Sequence, residues 1–171
     1  MAPDLLGKLL VVDRDGEVVS GRIIETEAYT RDDPASHSYN GPTARNAVMF
    51  GPAGRLYVYL SYGIHCCANV VTGADGDGQA VLLRAVVPLE GLQAIRRRRP
   101  SRPDGELTNG PGKLCAGMGL SLADAGTDLT RPHGPIRIVD DGGAAPTHLV
   151  TGPRIGITRA TETPWRFRGR W

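Results

Sequence analysis

The chain has 171 residues, of which 40% are hydrophobic and 22% are charged, with a formal net charge of +2. This length and apolar content predict one compact domain, residues 1–171, with a core of ordinary size. No run of about 18 apolar residues is present, so no membrane span is expected. The N-terminal MAPDLLGK lacks the basic-then-apolar pattern of a secretion signal.

The cysteines indicate neither a disulfide framework nor a metal site. Cys66 and Cys67 are adjacent and Cys115 is remote from both. His65-Cys66-Cys67 is too tight a spacing for zinc ligands, and no second pair follows. We expect an intracellular protein with reduced thiols, no metal and no cofactor.

The first predicted element is a β-hairpin. Strands Leu9 to Val12 and Glu17 to Tyr29 flank a turn-forming stretch at residues 13–16. In the second strand, the period-two pattern of IIETEAYT places Glu25, Glu27 and Tyr29 on one face. A carboxylate two residues from a tyrosine puts a potential general base beside a stacking surface, with Cβ atoms about 7 Å apart.

The next segment, RDDPASHSY, is predicted to be a loop. Pro34 interrupts strand structure directly after Asp32 and Asp33. His37 is therefore expected to fold back over the pocket that Glu27 and Tyr29 begin.

The second predicted hairpin concentrates the aromatic residues. Its strands, Leu56 to Tyr62 and Ile64 to Thr72, meet at a turn around Gly63, and three of the five tyrosines lie within seven residues of this segment. Alternation predicts that Tyr57 and Tyr59 share a face, with Tyr62 near the tip. Such tyrosines suit a protein that stacks on flat rings and wedges between them. A half-buried aromatic sheet face is the alternative interpretation.

The remaining pattern predicts short helices among further strands. We expect an α+β fold with a strand-rich core and a flexible loop at residues 142–146. The predicted elements are a strand at Ala80 to Val87, a helix from Pro88 to about Arg98, a helix at Pro111 to Met118, and strands at Ile136 to Val139 and Arg154 to Thr158.

The charge is distributed unevenly along the chain. Residues 84–113 and residues 154–171 each carry a balance of +4, which leaves −6 for the rest. Such segregation is typical of a surface that faces phosphates. The run Arg96 to Arg99 has a simpler interpretation, as cations that complement the C-terminal end of a helix dipole.

Seven stretches together resemble the alkyladenine (3-methyladenine, or N-methylpurine) DNA glycosylase family. They cover most of the chain in the order LLGKLLV, ETEAY, DDPASHSY, TARNAVMFGPAGRLYVYLSYGIH, AVLLRAVVPLEGL, NGPGKLC and GPRIGIT. The resemblance implies a curved antiparallel β-sheet with a protruding β-hairpin and surrounding helices. It also implies a monofunctional enzyme of base excision repair, acting as a monomer on double-stranded DNA in the bacterial cytoplasm (nucleoid) or the nucleus.

The resemblance assigns roles to individual residues. Glu27 would activate the attacking water as general base, and Arg84 would pair with it and position the water. Tyr62 would replace the flipped nucleotide in the minor groove. The base pocket would consist of four residues: Tyr29, His37, Tyr59 and Asn69.

Weaker assignments follow from the same resemblance. The backbone carbonyl of Ile157 would contact the water, and Asn69 would exclude normal guanine. DNA-backbone contacts are expected from Thr43, Arg45, Met49, Tyr57 and Lys113. No lysine lies in the pocket motifs, so a Schiff-base lyase step is not expected.

Two alternatives remain open at this level. Glu25 and Glu27 could form the acid/base pair of a sugar hydrolase, although parallel same-face carboxylates do not readily straddle a bond. A non-catalytic binder of damaged DNA on the same fold would share the pattern. The choice among 3-methyladenine, 7-methylguanine, hypoxanthine and ethenoadenine depends on pocket dimensions.

Overall fold

The computed structural model describes residues 1–171 as one curled antiparallel sheet with two α-helices. Every strand pairing is antiparallel. The strands are β1 (Leu9–Arg14), β2 (Glu17–Tyr29), β3 (Leu56–Ser61), β4 (His65–Thr72), β5 (Gln79–Glu90), β6 (Ile136–Val139), β7 (His148–Gly152) and β8 (Arg166–Arg170), and the helices are α1 (Leu92–Arg98) and α2 (Pro111–Met118).

The sheet is a half-barrel centred on β2. Its order is β3-β4-β5-β2-β1-β6, and β8 pairs with the C-terminal half of β2 while β7 pairs with β8. The β2–β5 ladder contains three register shifts, which bend the sheet. Gly21 lies at one of them, where a Cβ atom would come within 2.8 Å of the Val86 side chain. Only glycine permits this close approach of two strands.

The two sides of β3 separate the core from the site. Leu56 and Val58 belong to the main hydrophobic core, which also contains Ile95 of α1 and Leu114 of α2. Tyr57 faces the opposite side, in a smaller cluster that Tyr59 packs against. The predicted alternation of this strand is confirmed, so the tyrosine face is free to build a pocket.

Most predicted elements are confirmed, including both hairpins, the helix Pro111–Met118 and the strand Ile136–Val139. The predicted helix from Pro88 starts too early. Pro88 pairs with Gly21 inside β5, and the strand continues to Glu90. Gly91, with φ of 70°, then turns the chain into α1. Pro88 is therefore a strand residue at a bulged region and not the first residue of the helix.

The predicted strand at Arg154 to Thr158 is wrong, because this segment has no regular secondary structure. Gly156 has φ of +79°, and the Ile155 N–H donates to the Glu27 side chain and not to a neighbouring strand. The late strands are instead β7 and β8, on either side of it. Residues 142–146 lack regular secondary structure, as predicted for a loop.

No helix has both the length and the apolar character that crossing a membrane requires.

Candidate active site

A cavity of about 650 Å³ opens beside the β3–β4 hairpin. It is bordered by three parts of the chain that are distant in sequence: the loop of residues 34–37, strand β3 with its turn, and the segment of residues 155–159. Tyr29 of β2, Arg84 of β5 and Pro111 of α2 also contribute to its wall. The sheet curvature is what brings these elements around one space.

One wall of the cavity is an aromatic cluster. The rings of Tyr57 and Tyr59 stack with centroids 5.7 Å apart, and the ring of His37 meets Tyr59 edge-on at 4.4 Å. His37 Nδ1 and the Tyr57 hydroxyl are hydrogen-bonded at 3.0 Å. Desolvation and the nearby Arg45 cation lower the pKa of His37, so the imidazole is neutral at pH 7. The three rings are thus uncharged, while the Arg45 guanidinium lies 6.0 Å from the centroid of the Tyr59 ring.

The carboxylate of Glu27 is fully buried behind the cavity wall. Its Oε1 accepts from the Ile155 N–H at 2.9 Å and lies 3.1 Å from Arg84 Nη1. Its Oε2 accepts from the Tyr29 hydroxyl at 2.9 Å. Burial and this carboxylate raise the pKa of Tyr29 well above its ordinary value, so Tyr29 remains a donor. A buried carboxylate with three donors is held in one orientation.

Arg84 lies at a break in the β2–β5 ladder. Glu25 pairs with Ala85 and Thr26 pairs with Leu83, which leaves Arg84 without a partner on β2. A bulge of this kind redirects a side chain. Arg84 contacts Glu27, and its Nε also donates to Glu25 at 3.2 Å.

A second buried ion pair, Arg154 with Asp33, lies next to Tyr29. Arg154 donates to both carboxylate oxygens of Asp33, and the two side chains are 0% and 1% exposed. The Arg154 guanidinium also lies 4.5 Å from the centroid of the Tyr29 ring. Although burial opposes the charged form, the hydrogen bonds and charge of Asp33 raise the pKa of Arg154 overall.

The turn that joins β3 to β4 projects Tyr62 from the rim of the cavity. Tyr62 is 85% exposed and has φ of 51°, and Gly63 beside it has φ of 72°. The Ile64 N–H donates to the Ser61 carbonyl at 3.1 Å and closes the turn. Positive φ is unfavourable for a bulky residue, and this ring is also exposed to solvent. The combination is typical of a residue that serves function.

The methylpurine-DNA glycosylase (MPG) family matches this chain over residues 1–170. The chain belongs to that family. It is therefore a hydrolytic DNA glycosylase, and its substrate is DNA.

Curated relatives of this glycosylase are similar over nearly its whole length. A protein of Burkholderia lata is 50% identical over 169 residues, covering 98% of this chain and 80% of its own. One from Rhodopseudomonas palustris (strain HaA2) is 52% identical over 167 residues, 98% of this chain and 79% of its own. One from Nitrosospira multiformis is 46% identical, with 98% and 82% covered. All three carry the name "Putative 3-methyladenine DNA glycosylase".

The residues assigned from the family resemblance fall into distinct places. The cavity wall contains Tyr29, His37, Tyr59, Asn69, Arg84, Tyr62 and Ile157. Asn69 is buried and donates to the Tyr57 carbonyl at 3.2 Å, which fixes its orientation in the wall.

The residues expected at the DNA backbone divide into two groups. Thr43 and Arg45 are exposed, and Lys113 lies near the start of α2, where its Nζ donates to Asn109 at 2.9 Å. Met49 and Tyr57 are instead 3% and 2% exposed and line the cavity. Their contact with the DNA backbone stays a prediction.

Sequence reasoning missed several residues of this glycosylase site. Arg154 and the Ile155 N–H were not singled out because GPRIGIT has the pattern of a strand. Cys67 and Arg159 also line the cavity. The sequence shows Arg154 between Pro153 and Ile155, but nothing in it identifies Asp33, 121 residues away, as the partner.

Proposed function

We propose that this glycosylase flips alkylated or deaminated purines out of duplex DNA and hydrolyses their N-glycosidic bond with an activated water. The observation that carries the proposal is the arrangement of three features around one cavity. An aromatic wall, a buried carboxylate with fixed orientation and an exposed tyrosine lie together. A base-excising enzyme needs a pocket, a general base and a wedge in this arrangement.

Tyr62 is the wedge in this proposal. Extruding a nucleotide costs a few kcal/mol of stacking, and an aromatic ring inserted in its place offsets part of that cost. The ring is already exposed at the rim of the cavity, so no packed contact has to be broken before it inserts. The short turn holds the backbone of the tip in one conformation before DNA binds.

The flipped base enters the aromatic cavity between Tyr29 on one side and Tyr59 with His37 on the other. An N3- or N7-methylated purine is cationic, and electron-rich ring faces attract cations. The neutral His37 adds no repulsive charge. The names of the relatives favour 3-methyladenine as one substrate. Neutral lesions such as hypoxanthine and ethenoadenine present the same flat shape to the rings.

Glu27 is the general base. It takes a proton from water as the oxygen attacks C1′, the C1′–N bond breaks, and its electron pair leaves with the base. Positive charge on an alkylated base makes this departure easier. Arg84 and the Ile155 N–H orient the carboxylate, and the Ile157 carbonyl holds the water. Because Glu27 is completely covered, the side chains around it must adjust for water to reach it.

Other residues of the site contact the DNA backbone or select the base. Thr43, Arg45 and the start of α2 with Lys113 approach the phosphate backbone, where amide groups and cations bind oxygen. Asn69 in the cavity wall disfavours the exocyclic amino group of normal guanine, since that group would meet an unmatched or crowded contact. A single chain is sufficient for these contacts, and we propose that the enzyme acts as a monomer.

A non-catalytic damage binder on the same fold is the alternative, because aromatic wall and wedge suffice for recognition alone. The sugar-hydrolase interpretation loses support, since Glu25 and Glu27 both bind the guanidinium of Arg84. Two carboxylates that share one arginine do not flank a scissile bond.

The test is a single-turnover excision assay without added metal on duplexes that carry one hypoxanthine or one ethenoadenine. Release of methylated bases from alkylated DNA is measured in parallel. The wild-type protein is compared with Glu27→Gln, which keeps the size of the side chain and removes the base. We expect a loss of excision of at least about 100-fold with lesion binding retained, since general-base catalysis contributes about 10²- to 10⁴-fold.

Tight lesion binding by wild type without excision would support the binder. An unchanged excision rate in Glu27→Gln would contradict the role of Glu27. Absence of both binding and excision by wild type would contradict the proposed function as a whole.

A further inference from the structure

The Arg154–Asp33 ion pair is buried and makes further contacts beyond its two partners. Arg154 forms a two-pronged contact with Asp33 and donates from Nη1 to the Ala28 carbonyl at 2.9 Å. Its guanidinium lies 4.5 Å from the centroid of the Tyr29 ring and 5.3 Å from that of the Trp165 ring.

Each end of this pair is tied to a different wall of the cavity. Asp33 Oδ1 also accepts the Ala35 N–H at 3.0 Å, within the loop that carries His37. The residue after Arg154 donates its N–H to Glu27. The face of Arg154 supports Tyr29, whose hydroxyl donates to the other oxygen of Glu27. The Arg154 guanidinium therefore connects three parts of the cavity wall: β2, the loop that carries His37, and the segment of residues 155–159.

We propose that Arg154, held by Asp33, is a positioning residue that aims Tyr29 and Glu27 at the reacting nucleotide. The inference rests on the proposed function and adds to it a residue that touches neither the base nor the water. Because Arg154 is completely buried, the Tyr29 face that it covers is closed, and the base can stack only on the other face. Tyr29 thus has one permitted orientation, fixed at its face by Arg154 and at its hydroxyl by Glu27.

Stability alone does not account for this pair. Replacing a buried ion pair with apolar residues of similar volume is often neutral or stabilising, because desolvation offsets the attraction. The Nε of Arg154 is moreover buried without a hydrogen-bond partner, which is unfavourable. The pair therefore needs an explanation beyond stability, and its contacts with three walls of the cavity supply one.

The chain offers a matched control in Arg22. Arg22 also donates to both oxygens of one carboxylate, at 3.1 and 2.9 Å to Asp141, and to one backbone carbonyl, Gly7, at 2.6 Å. It lies in the part of β2 that pairs with β1, and it does not line the cavity. Arg22→Met therefore removes the same number and type of hydrogen bonds away from the site.

The experiment measures four variants: Arg154→Met, Arg154→Lys, Asp33→Asn and Arg22→Met. Single-turnover excision of hypoxanthine at saturating enzyme is measured per folded molecule, well below the lowest Tm of the set. Lesion-duplex Kd is measured separately with each change placed in the Glu27→Gln background. Lysine keeps the charge and loses the planar fork, so it separates charge from geometry.

We expect the excision rate of Arg154→Met to fall about 100-fold, as misplacement of reacting groups by about 1 Å does. Its Kd should rise less than about tenfold, because Tyr62 and the backbone contacts remain. Arg154→Lys and Asp33→Asn should lie between Arg154→Met and wild type. Arg22→Met should stay within about threefold of wild type while its Tm falls.

A merely structural role would lower the Tm of the Arg154 variants and leave the rate per folded molecule at the wild-type value, which would overturn the inference. If Arg154→Met does not fold, the same criterion applies to Arg154→Lys and Asp33→Asn. Excision by wild type together with unchanged rates in these variants contradicts only the positioning role. Absence of excision by wild type contradicts the proposed function itself and the inference with it.

Discussion

Two hairpin turns in this molecule have nearly the same φ angles but carry different residues at the tip. The β1–β2 turn places Asp15 at φ of 51° and Gly16 at φ of 80°, and the β3–β4 turn places Tyr62 at φ of 51° and Gly63 at φ of 72°. Asp-Gly is the preferred sequence for such a turn, because aspartate tolerates positive φ and glycine has no Cβ. Tyrosine in the same conformation is disfavoured.

The difference supports a folding role for the first turn and the proposed DNA-binding role for the second. The aspartate turn connects two strands that are paired up to Arg14 and Glu17, and its sequence agrees with its geometry. The tyrosine turn carries a local conflict and exposes a large ring. Local conflicts between sequence and structure concentrate at functional sites.

The largest difference between the two turns is expected when alanine replaces the tip residue of each. Tyr62→Ala is expected to lower single-turnover excision by about tenfold to a hundredfold, since stacking of one aromatic ring contributes about 1–3 kcal/mol. The free energy of unfolding should barely change, because the ring has no packing partner to lose. Asp15→Ala is the control and should leave excision unchanged while it lowers stability. Equal excision by both variants would remove Tyr62 from the mechanism.

Alanine at the two glycines tests the backbone that the turns share. A Cβ atom added at Gly16 or at Gly63 would have no other atom within 4 Å, so only the positive φ opposes a side chain. Both substitutions should cost about 1–2 kcal/mol in free energy of unfolding, measured by urea denaturation. Only Gly63→Ala should also slow excision, because it displaces Tyr62. A loss of activity in Gly16→Ala at equal folded fraction would contradict the separation of the two turns.

Asparagine in place of Tyr62 should make the β3–β4 turn resemble the β1–β2 turn, in which the tip residue suits its positive φ. Tyr62→Asn is expected to raise the free energy of unfolding by about 0.5–1 kcal/mol, because asparagine tolerates positive φ better than tyrosine. Thermal denaturation measures the gain, and the excision assay measures the accompanying loss of activity. Destabilisation by this substitution would show that the exposed ring does stabilise the hairpin.

The smallest effect is expected from pH, which acts at the cavity behind the tyrosine tip. Desolvation and Arg45 lower the pKa of His37, so the ring gains its proton only below its ordinary value of about 6.5. As pH falls from 7 to 5, excision of cationic N7-methylguanine should decline about twofold to threefold relative to neutral hypoxanthine, because a charged His37 repels a charged base. In His37→Gln the ratio should not depend on pH.

The same pKa displacement has a consequence for folding. Because the unfolded chain binds the His37 proton more tightly than the folded one, the stability contributed by this group is present above about pH 6.5 and is lost as pH falls below it. A His37→Gln variant that retained the full acid sensitivity of the wild-type Tm would contradict this assignment.

Periodicity predicted the sheet well where strands alternate between the core and another surface. β3 and β4 were found for this reason, and so was the hairpin that exposes Tyr62. Pro88 was misplaced because proline suits both the first turn of a helix and a bulged strand, and only the approach of Gly21 decides between them. β8 was missed because RFRGR alternates charge with small and aromatic residues and lacks an apolar face.

The sequence predicted individual residues of the site better than the contacts between residues that are far apart in the chain. Glu27 and Tyr29 share a strand face, so their contact follows from alternation. The Arg154–Asp33 pair joins positions 121 residues apart, and no local pattern specifies such a partner. The burial of Met49 and Tyr57 likewise depends on how the sheet curls, which follows from register shifts that sequence does not show.

The pairing of β8 with β2 has a consequence for the order in which the protein is made. Glu27 lies opposite Leu82 on one side and Arg166 on the other. Its backbone donor, Ile155, and the support of Tyr29, Arg154, also lie far downstream in the chain. During synthesis on the ribosome, the carboxylate that we propose as general base emerges early and acquires these neighbours only after residues 154–166 have been made. If Glu27 is the general base, a nascent chain would gain excision activity only after that segment has left the ribosome.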